Sequence, residues 1–361
     1  MKVLITCIYP PEQVPGQRFR FEQYLDFLEK NGCEITFSSA LSQKDYKVYY
    51  SQGHFFQKAM MVAKSFFKRY NEVLSASKYD IVFVFREAFM LGSSYFERQF
   101  AKKSHVIFDY DDAIWIPTVS KGNEKWNFLK NSSKTNEIIK VSSLIFAGNK
   151  YLSDYAKQFN QHTVIIPTTI DTTLYKPKYD FNKEKICIGW SGSFSTIVNF
   201  ESSLNALKII KSKYGERVYF KVIGDRNFVN AELNIKGLPW NKDTEVEDLQ
   251  EIDIGLMPLP DDAWANGKCG LKGLQYMALS IPTIMSPVGV NKEIIQDGEN
   301  GFLATTENEW VDKLSRLIDS AELRKTMGEK GRKTVVEGYS VEVNKALYLR
   351  YFKEVSTLVK N

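Results

Sequence analysis

Residues 253–303 read DIGLMPLPDDAWANGKCGLKGLQYMALSIPTIMSPVGVNKEIIQDGENGFL, and the alternation inside this stretch decides the fold. Residues 254–257 form an apolar run that is long enough for a buried strand and too short for a helix. A polar loop at 261–267 leads to a helix start rich in Lys and Gly at 268–273, and a second apolar strand covers 282–286. Gly289, Gly298 and Gly301 mark the turns that close the stretch. Apolar strands that deliver Gly, Lys and Asp at their carboxyl ends are how α/β sheets hold phosphorylated ligands.

Working outward, the same strand-then-helix cycle runs along the whole chain. Strands are expected at residues 3–8, 34–38, 81–85, 106–108, 143–147 and 164–166, with helical segments between them. Residues 16–30 are one such helix, with Phe21, Tyr24, Leu25 and Leu28 on one face. A polar run, TTIDTTLYKPKYDFNKEK at 168–185, breaks the cycle and reads as a hinge. The cycle then restarts with strands at 186–190 and 218–223, the first ending in the turn Ser191-Gly192-Ser193. The expected architecture is therefore α/β, with two Rossmann-like domains facing a cleft, each binding at its strand carboxyl ends. Residues 1–172 form the first domain and 173–340 the second, and a helix over 341–361 packs back across both.

Bulk properties agree. A chain of 361 residues exceeds the usual single-core size. No stretch approaches the length of a membrane span, and the apolar run in MKVLITCIYPPE is too short for a signal peptide. Cys7, Cys33, Cys187 and Cys269 lack metal-binding spacing and point to free thiols in a reducing cytoplasm. The three His residues are scattered, which argues against a His-based metal site.

The net charge of +5 is local. Residues 1–172 carry 22 basic and 17 acidic side chains, whereas the remainder is balanced at 26 and 26. Within the first half, residues 41–71 hold six basic residues against the single acid Asp45. The segment FFQKAMMVAKSFFKRY at 55–70 lies in that patch. On a helix it places Phe55, Phe56, Ala59, Met60, Val62, Ala63, Phe66, Phe67 and Tyr70 on one face and Gln57, Lys58, Lys64, Lys68 and Arg69 opposite, with Met61 out of place. That pattern serves either core packing or weak contact with an anionic membrane surface. No nucleic-acid-binding motif accompanies the patch, so no nucleic acid is expected as a partner.

Five groups of residues are candidates for chemistry. Gly267, Gly270 and Gly273 let backbone approach a ligand, while Lys268 and Lys272, four apart, point the same way off the helix start and are opposed by its dipole unless an anion binds. The Gly192 and Ser193 turn offers neutral donors, and it is equally a tight turn with a helix cap. Asp109, Asp111 and Asp112 crowd one strand end and repel, which raises at least one pKa unless a cation intervenes. Gly16, Arg18 and Arg20 open the first helix, where cations suit an anionic group or a local pair with Glu12 or Glu22; Arg86 and Glu87 end another strand.

The run GLKGLQYMA followed by IP, PVGVN and ENGFL resembles the C-terminal half of the family-4 retaining glycosyltransferases, which have the GT-B fold. The resemblance extends over nearly the whole chain. It implies a transferase that moves a sugar from a UDP- or GDP-type nucleotide sugar to a hydroxyl of a glycan or lipid-linked acceptor. The setting would be cell-surface polysaccharide synthesis, in the cytoplasm or at the inner face of the membrane. No cofactor and no metal ion are implied. In the family, two glutamates bracket this helix start, one contacting the transferred sugar and one the nucleotide ribose. Here Gly267 and Gln275 stand at those positions. Gln275 retains hydrogen-bonding capacity towards ribose, Lys272 fits the phosphate-binding lysine, and Asp261 and Asp262 are the nearby substitutes for the missing sugar contact. Residues 237–240 fall near the base. Asp111 falls where many members have a histidine beside the transferred sugar, with Asp112 next to it, and Gly16 falls in the family's first glycine-bearing loop.

Alternatives remain at this stage. Asp111 and its neighbours also form an Asp-x-Asp motif, the manganese signature of the GT-A architecture. Loss of both glutamates is what a non-catalytic GT-B partner subunit would show. A GT-B sugar-nucleotide epimerase would need no acceptor, and product analysis separates it.

Overall fold

The structure is a computed structural model and describes residues 1–49, 51, 53–116, 133–177 and 183–359. The chain divides into two units, Met1–Thr168 with Lys345–Asn361, and Thr169–Asn344.

The first unit is built on strands β1 (Lys2–Cys7), β2 (Glu34–Ser39), β3 (Ile81–Phe85), β4 (His105–Tyr110), β5 (Leu144–Ala147) and β6 (Thr163–Ile165). They form one sheet in the order β2-β1-β3-β4-β5-β6, and every pairing is parallel. β3 is IVFVF, buried at all five positions, as a strand covered on both faces must be. The order reverses between β1 and β3, so the loops after these strands flank a topological switch point, where such sheets bind ligands. The helix Val341–Ser356 supplies Tyr348, Phe352 and Val355 to this unit's core. Tyr348 stacks on Tyr24 with ring centroids 4.2 Å apart, and Phe352 stacks on Phe83 at 5.8 Å.

Residues 16–30 are not one helix. Pro15–Arg20, a short turn at Glu22–Tyr24 and Leu25–Lys30 follow one another. Phe21 leaves helical geometry at φ −138°. It is buried against Phe83 and Phe85, so core packing at this point overrides helical continuity.

The second unit contains β7 (Ile186–Ser191), β8 (Val218–Ile223), the small antiparallel pair β9 (Val229–Asn230) and β10 (Ile235–Lys236), β11 (Ile254–Met257), β12 (Thr283–Met285) and β13 (Phe302–Leu303). The main sheet is parallel in the order β13-β12-β11-β7-β8, with its switch point between β11 and β7. Its core packs Trp190, Phe200, Ile254, Leu256 and Ile284 together with Trp310 and Leu314 of the helix Glu307–Asp319. A reciprocal capping box of Thr306 and Glu309 starts that helix.

The largest departure from expectation is the helix that spans Phe55–Ser75. Its buried line is Met61, Ser65, Arg69 and Val73, spaced by four. Phe55, Phe56, Met60, Phe66, Phe67, Tyr70 and Leu74 are exposed. The apolar face, whose pattern suited either core packing or a membrane surface, is therefore turned outward, and Met61 marks the true inner line. The cause is Arg69, which is fully buried and donates to the carbonyls of Ala88 and Cys7 (2.6 and 2.7 Å), to Ser38 Oγ and to Glu72. A guanidinium with this many acceptors fixes the rotation of the helix more strongly than the apolar stripe does.

Candidate active site

The carboxyl end of β7 and the helix Leu271–Ala278 build the first cluster, in the second unit. Gly255 lies in β11 against the ring of Tyr276, where an added Cβ would stand 2.5 Å from a ring carbon. The glycine lets the tyrosine lie on the strand, and its Oη accepts the Ser191 N–H at 2.7 Å. The helix start is thereby fastened to the end of β7. There Gly192 sits against Trp190 and Lys272: an added Cβ would be 2.3 Å from the indole and 2.9 Å from Lys272 Nζ. Lys272 Nζ stands 4.5 Å from the centroid of the Trp190 ring and 3.5 Å from Thr196 Oγ1. Ser193 caps the turn Phe194–Thr196 in a reciprocal box with Thr196. Gly192, Ser193, Thr196 and Lys272 thus converge, with Gly270, at φ +73°, capping the helix that carries the lysine.

Lys268 is not part of that convergence. The helix begins at Leu271, so Lys268 belongs to the preceding turn, where its backbone N–H bonds Ala265 and its ammonium lies 5.1 Å from the Trp264 ring. The two lysines are four apart but do not share a helical turn, because Gly270 interrupts the helix. Gly267 is buried, with an ordinary φ of −75°. Asp262 caps the helix Ala263–Asn266 by accepting the Ala265 N–H at 2.7 Å, and Asp261 accepts from Asn266 Nδ2 at 3.1 Å. Both aspartates are exposed and organise this loop.

Gln275 is buried in a network that the sequence does not announce. Its Nε2 donates to Tyr175 Oη at 2.9 Å and to Glu245 Oε1 at 3.2 Å. Tyr175 donates to Glu245 Oε2 at 3.0 Å, and Trp240 Nε1 to Glu245 Oε1 at 2.9 Å. Glu245 therefore gathers Gln275 and Trp240, the residues expected near ribose and base. Tyr175 and Glu245 lie 100 and 30 residues from Gln275 in sequence, and no local motif marks either.

The second cluster is in the first unit. Arg86, just past β3, has a left-handed backbone (φ +58°) and spreads its guanidinium over two carboxylates. Nε donates to Asp111 Oδ1 at 2.7 Å and Nη2 to Asp112 Oδ2 at 2.6 Å. Burial disfavours the Arg86 charge, but Asp111 and then Asp112 outweigh it, and the guanidinium is held above its ordinary pKa. Gly16 packs beside the pair, since an added Cβ would be 3.0 Å from Asp111 Oδ2 and 3.3 Å from Arg86 Nη2. Gly16, Arg86, Asp111 and Asp112 are thus brought together.

Asp109 points elsewhere. It is fully buried and accepts from Arg20 Nε and Nη2 at 3.1 and 2.5 Å, while Arg20 also donates to the Ile166 carbonyl. The crowding expected to raise a pKa acts through a different cause. Burial pushes Asp109 up to about 6, with Arg20 opposing and Asp111 a smaller contributor. Glu22 accepts from the Glu12 N–H and from Gln17 Nε2, while the Arg18 guanidinium lies 5.1 Å from the Phe19 ring. Glu87 accepts from Lys134 at 2.8 Å. Among the described residues no group of three or more His, Cys, Asp or Glu side chains is placed to hold a metal ion.

A pair of parallel Rossmann-like units with charged residues collected at the strand carboxyl ends is the GT-B architecture. The chain aligns with solved structures of that fold along almost its full length. Sucrose-phosphate synthase from Thermosynechococcus elongatus matches with TM-score 0.71 at 11% identity, covering 98% of each chain. Anabaena HepE, solved with UDP and glucose, matches with TM-score 0.66 at 15% identity, covering 98% of this chain and 100% of that one. Residues 171–334 match the family of glycosyl transferases group 1. An uncharacterized glycosyltransferase of Methanocaldococcus jannaschii is 28% identical over 221 residues, 56% of this chain and 59% of that one. N-acetyl-alpha-D-glucosaminyl L-malate synthase of Bacillus anthracis is 32% identical over 94 residues, 26% of this chain and 25% of that one. The chain spans less than two thirds of either relative's length.

Proposed function

We propose that the protein is a glycosyltransferase that moves a sugar from a nucleotide-diphosphate sugar, of UDP or GDP type, to a hydroxyl of a glycan or lipid-linked acceptor, with retention. The observation that carries this reading is the convergence of Lys272 on Gly192, Ser193 and Thr196 at the switch point of a group 1 domain. The Lys272 ammonium, resting on the Trp190 face, brings positive charge to this convergence. Gly192 supplies backbone that a ligand can approach, and the serine and threonine hydroxyls add neutral donors. A diphosphate is the ligand such a set suits. HepE, of the same fold, was solved with UDP.

In the proposed reaction the acceptor oxygen bonds to the anomeric carbon as the bond from that carbon to the diphosphate oxygen breaks. The acceptor proton passes to the leaving phosphate, so no strong protein base is required. Lys272 stabilises the charge that grows on the diphosphate. Glu245, Tyr175 and Trp240 hold Gln275 for the nucleoside. Arg86 holds Asp111 and Asp112 in fixed geometry, suited to orienting an acceptor hydroxyl or to facing positive charge on the sugar ring. Residues 1–172 are assigned to the acceptor, 173–340 to the donor and 341–361 to the helix that returns to the first unit. The polysaccharide setting rests on the family resemblance.

A second reading, a non-catalytic partner subunit, draws on the lack of a side chain at Gly267 and the enclosure of Gln275. Calorimetric titration with UDP, GDP and their sugars, together with donor hydrolysis by wild type and Lys272→Ala, tests both. Binding with turnover, each lost in the variant, supports the transferase. Binding without turnover on any donor and acceptor supports the partner subunit, and no binding at all overturns the nucleotide site.

A further inference from the structure

The helix Phe55–Ser75 carries a surface that neither the fold nor the proposed reaction uses. Phe56, Met60, Ala63, Phe67, Tyr70 and Leu74 recur at spacings of four and three, which places them in one line along the helix. All six are exposed, Phe56 at 76%, Phe67 at 65% and Leu74 at 57%. Phe55 is 75% exposed at the helix start. The rotation is fixed from the inside by buried Arg69, so the outward aromatics are a consequence of a specific polar anchor and not of loose packing. A helix of 21 residues is about 30 Å long.

The charge around this line is of one sign. Lys64 and Lys68 flank it on the helix, and Lys44 and Lys47 are exposed on the neighbouring helix Gln43–Tyr49. The single acid of Phe55–Ser75, Glu72, is half-buried and accepts from Arg69 and Ser38. Asp45 accepts from Ser42 at its own helix start.

We propose that this face docks on an anionic lipid bilayer, lying in the headgroup region with its aromatic line inserted and its lysines towards the phosphates. The alternative occupant of a line with heptad-like spacing is the same helix of a second copy. A twofold pairing would bring lysine flanks together, and this helix offers no exposed acid to meet them. A bilayer with negative headgroups answers both features, since aromatic side chains suit the interface and each lysine near it gains from the surface charge. No helix among the described residues is long and apolar enough to cross a membrane, so the contact is peripheral. The inference is independent of the donor chemistry.

The test is flotation of the full chain with vesicles of phosphatidylcholine alone and of phosphatidylcholine with phosphatidylglycerol. Phe56→Ser/Phe67→Ser and Lys44→Gln/Lys64→Gln would be run beside wild type, with analytical ultracentrifugation of each. All four positions are exposed, so the variants retain the fold, which circular dichroism checks. The expected result is binding to the anionic vesicles only, weakened at high salt, cut at least about tenfold by the phenylalanine pair and about fivefold per lysine removed. Failure of wild type to float with anionic vesicles overturns the proposal. Equal flotation of the phenylalanine variant also overturns it. So does a wild-type dimer that the phenylalanine pair makes monomeric without any vesicle binding, which would assign the face to a second copy.

Discussion

The two charged clusters hold their cations in opposite ways. In the second unit Lys272 lies on the face of Trp190, an arrangement worth on the order of 1 kcal/mol that a phosphate can outbid. In the first unit Arg86 is forked onto Asp111 and Asp112, and Arg20 onto buried Asp109. Breaking the fully buried Arg20–Asp109 pair from one side costs about 3–5 kcal/mol. In the proposed function the first arrangement presents charge to a ligand, whereas the second uses charge to fix geometry. The comparison separates residues whose loss should change binding from residues whose loss should change folding.

The sharpest way to break it is Arg20→Ala. The variant leaves the Asp109 carboxylate buried without its guanidinium, and chemical denaturation near neutral pH should show a loss of about 3–5 kcal/mol. The sign with pH follows from the raised Asp109 pKa of about 6. Ionised Asp109 costs stability, so its contribution is best below the ordinary carboxyl range and is lost as pH rises through about 6. The defect of the variant should therefore shrink on acidification towards pH ~5. A defect that grows on acidification would contradict the buried-pair account.

Lys272→Ala should do the reverse, leaving the melting temperature near wild type while weakening nucleotide binding about 10–100-fold by calorimetry, as expected for a charge-assisted contact. Gly192→Ala falls between the two. Its Cβ has no room beside Trp190, so it should lower stability by about 1–3 kcal/mol and weaken nucleotide binding as well.

Gln275→Glu would install the residue that the family resemblance implies at this position, yet it would place a second carboxylate about 3 Å from Glu245. One of the two must then take up a proton at higher pH than an ordinary carboxyl. Stability should be close to wild type near pH 5 and fall by about 1–2 kcal/mol as pH rises towards 8. The exchange Gln275→Glu with Glu245→Gln should recover it, measured by thermal melts across that range. If the single variant is as stable as wild type at every pH, the network does not hold Gln275 in the way described.

Much of the fold was legible because burial on both faces leaves a plain mark. Strands such as IVFVF at 81–85 and IGLM at 254–257 are apolar throughout, and their expected bounds coincide with β3 and β11. The region between residues 16 and 30 was not, since Phe21 departs from helical geometry to reach partners more than 60 residues away, Phe83 and Phe85. In the candidate site, the placement of Gly192, Ser193 and Lys272, and of Asp111 and Asp112, at strand ends was legible from the sequence, whereas their role stays with the proposed function. Glu245 and Tyr175 were not, because a hydrogen bond to Gln275 leaves no local pattern in either segment.

What the sequence by itself determined is the alternation of strand and helix, the place of the group 1 signature, and the one-sided charge of residues 41–71. Each of these is a property of neighbours in the chain, where periodicity and composition act. Only the tertiary structure decided which arginines neutralise the aspartates, which carboxylate meets Gln275, and which way the helix Phe55–Ser75 turns. The last case gives the reason most directly. Its apolar stripe favours an inward aromatic face, but a buried guanidinium must satisfy its donors, and the acceptors for Arg69 lie on other elements of the unit. Hydrogen bonding across the fold, invisible to any local pattern, set the orientation.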